Sequence, residues 1–91
     1  MTESRKLKIA NRRGLHARAS AKFVNLVHEI GDGVTVEVEK DGNRVTGRSI
    51  MGLLMLGAAM GDCITIHVEG EDAKPALDRL SGLVKDRFGE D

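Results

Sequence analysis

The chain has 91 residues, of which 41% are hydrophobic and 31% charged, with 14 basic residues balanced by 14 acidic ones. This suffices for one core and not for two, and it is not the composition of a disordered tail. Zero net charge and only two aromatics, Phe23 and Phe88, argue against nucleic-acid binding. One cysteine, Cys63, forbids an intrachain disulfide and suits a reducing compartment. No secretory h-region precedes residue 14, and the longest apolar-rich run, IMGLLMLGAAM, is 11 residues. A bilayer span needs about 20. A cytoplasmic protein that meets no membrane is expected.

The first element is a short strand at KLKIA, residues 6–10, with Leu7 and Ile9 on one side. A helix follows from Ala17, its stripe formed by Ala19 or Ser20, Phe23, Val24, Val27 and Ile30. GDG, residues 31–33, ends it. VTVEVEK alternates with Val34, Val36 and Val38 inward, DGN supplies a hairpin turn, and RVTG is the returning strand. Ser49 is a good N-cap for a short apolar helix from Ile50 to about Leu56. CITIHVEG, residues 63–70, is a further strand with Ile64, Ile66 and Val68 inward, which leaves His67 outward and Cys63 half-buried at its end. Residues 71–89 read as one amphipathic helix: Glu71 and Asp72 at its start, Pro75 in its first turn, and Leu77, Leu80, Val84 and Phe88 on one face. The order is β-α-β-β-α-β-α. Strands with one apolar side each predict an α+β open-faced sandwich, a four-stranded antiparallel sheet covered on one face by three helices.

One position breaks the local rules. The first helix opens in GLHARAS, with His16 where Ser, Thr, Asp or Asn would ordinarily cap it. At such an end the N–H groups of Ala17, Arg18 and Ala19 lack helical acceptors, and the helix dipole adds partial positive charge, so the end suits a phosphate. The same field disfavours an imidazolium and leaves one ring nitrogen nucleophilic. A phosphoryl group taken up there would lie among amide donors and beside the Arg18 guanidinium. Residues 1–24 carry seven basic residues against one acid, so the surroundings of His16 attract anions.

Other candidates carry less. His16, His28 and His67 are scattered without metal-ligand spacing, so no metal is expected. Cys63 has no evident base, and no glycine motif for nucleotide binding is present. Around Ser49, the residues Ile50, Met51, Leu53, Leu54, Met55 and Leu56 exceed what one short helix can bury. A contact patch is expected there, with Ile50, Met51, Leu54 and Met55 as its partner-binding residues. A phosphate on Ser49 would place about −2 charge beside it. A purely regulatory binding module, acting through that helix and patch, is the alternative reading.

With GLHARAS and GRSIMGLLMLGA about 33 residues apart in one β-α-β-β-α-β-α frame, the sequence resembles HPr, the histidine-containing phosphocarrier of the bacterial phosphotransferase system. The resemblance covers nearly the whole chain and implies a single HPr-like domain, residues 1–91. It implies that His16 accepts a phosphoryl group on Nδ1 from enzyme I and passes it to enzyme IIA-type acceptors, with Arg18 as the active-site arginine. Ser49 matches the serine phosphorylated by HPr kinase/phosphorylase in lineages that have one. A carrier, not an enzyme, is implied, working as a monomer without a cofactor in sugar uptake or in nitrogen/carbon regulation.

Overall fold

The computed structural model describes residues 1–90. Among the described residues the elements are β1 (Thr2–Lys8), α1 (Ala17–Ile30), β2 (Val34–Lys40), β3 (Asn43–Thr46), α2 (Ile50–Met55), β4 (Cys63–Gly70) and α3 (Ala73–Lys85). The strands form one antiparallel sheet in the order β1-β4-β2-β3. This is the expected open-faced α+β sandwich. α3 lies across β1 and β4, α1 packs beside α2 and α3, and α2 leans on β3.

The core forms where the two periodicities meet. Val34, Val36 and Val38 of β2 and Ile64, Ile66 and Val68 of β4 face inward at every second residue. They meet Ala19, Phe23, Val24 and Val27 of α1 and Leu77, Leu80 and Val84 of α3. With two phenylalanines and no tryptophan or tyrosine in the chain, packing rests on branched aliphatics.

Four expectations are corrected. β1 spans Thr2–Lys8 instead of residues 6–10. Its inward positions include Glu3 and Arg5, which hide the alternation, and Arg5 is accommodated because its guanidinium donates to Asp78 Oδ1 and Ser81 Oγ of α3, both at 3.0 Å. β3 starts and ends one residue earlier than RVTG, set by the register of Lys40 opposite Asn43. Cys63 is exposed rather than half-buried, because the alternation that buries Ile64 turns it to the open face. The last helix stops at Lys85 rather than running to residue 89. Arg87 and Phe88 then take left-handed backbone angles, φ 57° and 55°, in a tight turn ending at Gly89. Phe88 is still buried, so the core draws this turn back against the protein. Left-handed backbone costs a non-glycine residue about 1–2 kcal/mol, which burial of a phenylalanine offsets.

Candidate functional site

His16 is the N-cap of α1, with extended backbone angles (φ −75°, ψ −179°). Its carbonyl accepts the first helical hydrogen bond, from Ser20 N–H at 2.9 Å. The N–H groups of Ala17, Arg18 and Ala19 precede that bond and have no acceptor within the helix. Arg18 N–H donates to the Nδ1 atom of His16 at 3.3 Å. That nitrogen therefore carries a lone pair, directed at the positive end of the helix. The proton of the neutral ring is on Nε2, which meets Glu90 Oε2 at 2.5 Å.

The loop before the helix is held from several sides. Leu15 N–H donates to Ala58 carbonyl oxygen at 2.9 Å, and Gly14 N–H to Asn11 carbonyl oxygen at 3.2 Å. Gly14 has φ +64°, and a Cβ there would lie 2.3 Å from Ala58 carbonyl oxygen. Only glycine supplies that backbone angle without strain and permits that approach. Asn11 is fully buried, and its Nδ2 donates to Gly14 carbonyl oxygen at 2.8 Å and to Glu90 Oε1 at 2.9 Å. Two acceptors at one end fix which way the amide faces.

Glu90 was not anticipated from the sequence. It lies 74 residues from His16. It is delivered by the left-handed turn, which Lys22 of α1 braces by donating from Nζ to Phe88 carbonyl oxygen at 2.7 Å. The available signal was Phe88–Gly89, an apolar anchor followed by a helix-ending glycine. That pair says the chain turns there, not where the next carboxylate goes. The amide of Asn11 holds the Glu90 carboxyl below the usual carboxylate range against the cost of desolvation, and His16 and the charge of Lys22 lower it further.

Glu90 and Gly89 close one side of an open depression of about 370 Å³ whose other walls are Arg12, Arg13, Arg18 and Lys22. Of the seven cations read from the sequence, Arg12, Arg13, Arg18 and Lys22 meet here, beside the carboxylate that holds His16, whereas Arg5 pairs with Asp78 of α3 and Lys6 lines a separate depression with Glu39 and Asp62. A second depression shares Arg12 and adds Ala10, Met60 and Arg87.

The remaining candidates lie elsewhere. Ser49 caps α2, its Oγ accepting from Gly52 N–H at 2.9 Å. Met51 and Met55 are 67% and 78% exposed, Ile50 is exposed and Leu54 half-buried, while Leu53 and Leu56 are in the core. His28 sits in the last turn of α1 near Arg48 Nη1, at 3.4 Å. His67 is on the open face of the sheet, between Ser4 Oγ at 2.8 Å and Glu39 Oε1 at 2.7 Å. Among the described residues no three His, Cys, Asp or Glu side chains are grouped to hold a metal ion. No helix is long and apolar enough to cross a membrane.

An open-faced sandwich that presents an unprotonated imidazole nitrogen at the open end of its first helix, next to a depression lined by four cations, has the form of a phosphoryl carrier. Residues 3–86 match the family PTS-HPr, described as the PTS HPr component phosphorylation site, and the chain belongs to that family. It is 43% identical over 83 residues to the phosphocarrier protein HPr of Cupriavidus necator, covering 90% of each chain. With the phosphocarrier protein NPr of Shewanella violacea it shares 41% identity over 87 residues, 94% of this chain and 92% of the other. The crystal structure of HPr-C-His from Thermoanaerobacter tengcongensis superposes with a TM-score of 0.90 at 35% identity, over 98% of both chains. The protein is a phosphocarrier of the phosphotransferase system and not an enzyme.

Proposed function

We propose that His16 is the phosphoryl acceptor, taking the group on Nδ1 from enzyme I at the expense of phosphoenolpyruvate and giving it to enzyme IIA-type acceptors. The observation that carries this reading is the Nδ1 lone pair facing the first amides of α1. A phosphoryl group on Nδ1 brings its oxygens to the N–H groups of Ala17, Arg18 and Ala19, where the helix dipole favours negative charge. The Arg18 guanidinium, on the wall of the depression, adds charge-assisted hydrogen bonds. Arg12, Arg13 and Lys22 draw in the phosphorylated donor. The protein works as a monomer in the cytoplasm, where its relay partners meet it, in sugar uptake or in nitrogen/carbon regulation.

The exposed side chains of Ile50, Met51 and Met55, with half-buried Leu54, serve as the docking surface for those partners. Ser49 is the regulatory position. Its hydroxyl caps α2 beside that surface, so phosphorylation by an HPr kinase/phosphorylase would exchange a neutral cap for about −2 charge. Incubation with enzyme I and phosphoenolpyruvate should give an acid-labile phosphoramidate on His16, seen by 31P NMR and lost in His16→Ala. An acid-stable adduct, or undiminished labelling of His16→Ala, overturns the reading.

A further inference from the structure

Glu90 is held too specifically to be an incidental neighbour of His16. One carboxylate oxygen accepts from buried Asn11 at 2.9 Å and the other from the imidazole Nε2 at 2.5 Å. Asn11 in turn binds Gly14 carbonyl oxygen, two residues before the histidine, so one side chain ties the carboxylate to the loop that presents the ring. Two left-handed residues and the Lys22 contact to Phe88 bring the chain there. Left-handed backbone at non-glycine residues persists only where its surroundings impose it.

We propose that Glu90 is a positioning residue for phosphoryl transfer. By accepting the Nε2 proton it fixes the tautomer whose Nδ1 lone pair faces the helix end, and it balances the positive charge the ring gains when Nδ1 is phosphorylated. This rests on the reading that His16 carries the phosphoryl group. In the step, the Nδ1 pair forms the N–P bond while the bond from phosphorus to the donor breaks and its pair leaves with the donor. The Nε2 proton stays in place throughout, so no proton has to be removed from His16. The ring becomes a phosphorylated imidazolium, and the carboxylate stands 2.5 Å from its N–H.

The N–P bond of such an adduct breaks readily while Nε2 keeps its proton, because the departing imidazole is then neutral, and slowly once that proton is lost. The other charged side chains lining the two neighbouring depressions are cationic and would favour losing it: Arg18 and Lys22 from α1, Arg12 and Arg13 from the preceding loop, and Arg87 from the turn. Glu90 is the opposing anion among the described residues that line these two depressions. The adduct therefore stays transferable to higher pH with Glu90 than without it.

The test uses the whole chain with enzyme I and phosphoenolpyruvate, comparing Glu90→Gln and Glu90→Ala with the unaltered protein. Phosphoryl uptake should slow by about 10- to 100-fold, the range for losing the group that orients a functional imidazole. The pH above which hydrolysis of the isolated adduct falls off should move down in both variants. 15N NMR at alkaline pH should show the Nε2–H tautomer in the unaltered protein and a mixture in Glu90→Ala. Unchanged rates, or slower uptake with an unshifted hydrolysis profile, overturn the proposal and leave His16 as acceptor. Labelling that survives in His16→Ala overturns the underlying reading instead.

Discussion

His16 and His67 each face a glutamate through Nε2, Glu90 at 2.5 Å and Glu39 at 2.7 Å, and both rings are mostly covered. Their other nitrogens differ. Nδ1 of His16 meets a backbone N–H, which can only donate, so this contact and the Glu90 carboxylate favour one and the same tautomer. Nδ1 of His67 meets the hydroxyl of Ser4, which can donate or accept, so either tautomer is satisfied. The surroundings differ as well. Four cations and the Glu90 carboxylate wall the depression beside His16, whereas the one at His67 presents Glu37 and Glu69 against Arg44. His67 sits in the middle of a paired strand, where every amide belongs to the ladder and none is left for a phosphate. On the proposed function, a histidine–carboxylate pair is therefore not enough for a phosphoryl site. A helix end and a local excess of cations are what set His16 apart.

The widest separation between the two histidines should come from their removal. His16→Ala should abolish phosphoryl uptake from enzyme I, while His67→Ala should leave it within about twofold, read as 32P incorporation from labelled phosphoenolpyruvate. Next, Arg18→Ala should slow transfer by about 10- to 100-fold, the equivalent of one charge-assisted hydrogen bond. Arg18→Lys should recover only part of that rate, because an ammonium lacks the planar fork. Arg44→Ala, on the open sheet face, should change nothing in the same 32P-incorporation assay.

Smaller effects separate the scaffolds beneath the two rings. Gly14→Ala puts a Cβ against Ala58 carbonyl oxygen at a backbone angle that disfavours side chains, and should cost about 2–3 kcal/mol in urea unfolding. Ser4→Ala, which frees one side of His67, should cost about 0.5 kcal/mol or less. The smallest effect is a pH dependence. The Glu90 carboxyl is held below the ordinary carboxylate range, so its contribution to stability is complete above the unfolded value and is lost as pH falls through the folded one. The melting temperature of the unaltered protein should exceed that of Glu90→Gln near neutrality, and the two should converge in acid. Asp78, lowered first by its hydrogen bond from Arg5 and then by Lys74, should show the same convergence in Asp78→Asn. Failure to converge would mean that these carboxylates do not titrate as paired groups.

Most of the architecture could be read along the chain because local periodicity and burial agreed. β2 and β4 alternate cleanly over Val34–Lys40 and Cys63–Gly70, and α1 carries its stripe over Ala17–Ile30. Where they disagreed, the elements were misplaced. Arg5 faces inward and looks outward in the sequence, because the groups that accept it, Asp78 and Ser81, are on α3. The helix-end amides and Ser49's capping role follow from residue type within a few positions. The tautomer of His16 does not.

The order of elements, the apolar inward-facing residues and the placement of His16 at a helix entrance follow from the amino-acid order, because periodicity, capping and turn chemistry act over a few residues. The return of residues 87–90 to that entrance, the capture of Glu90 by buried Asn11, and so the nitrogen that keeps its proton, depend on contacts up to 79 residues apart. Those contacts form only when the packed core has drawn Phe88 in, and no local pattern encodes the distance they span.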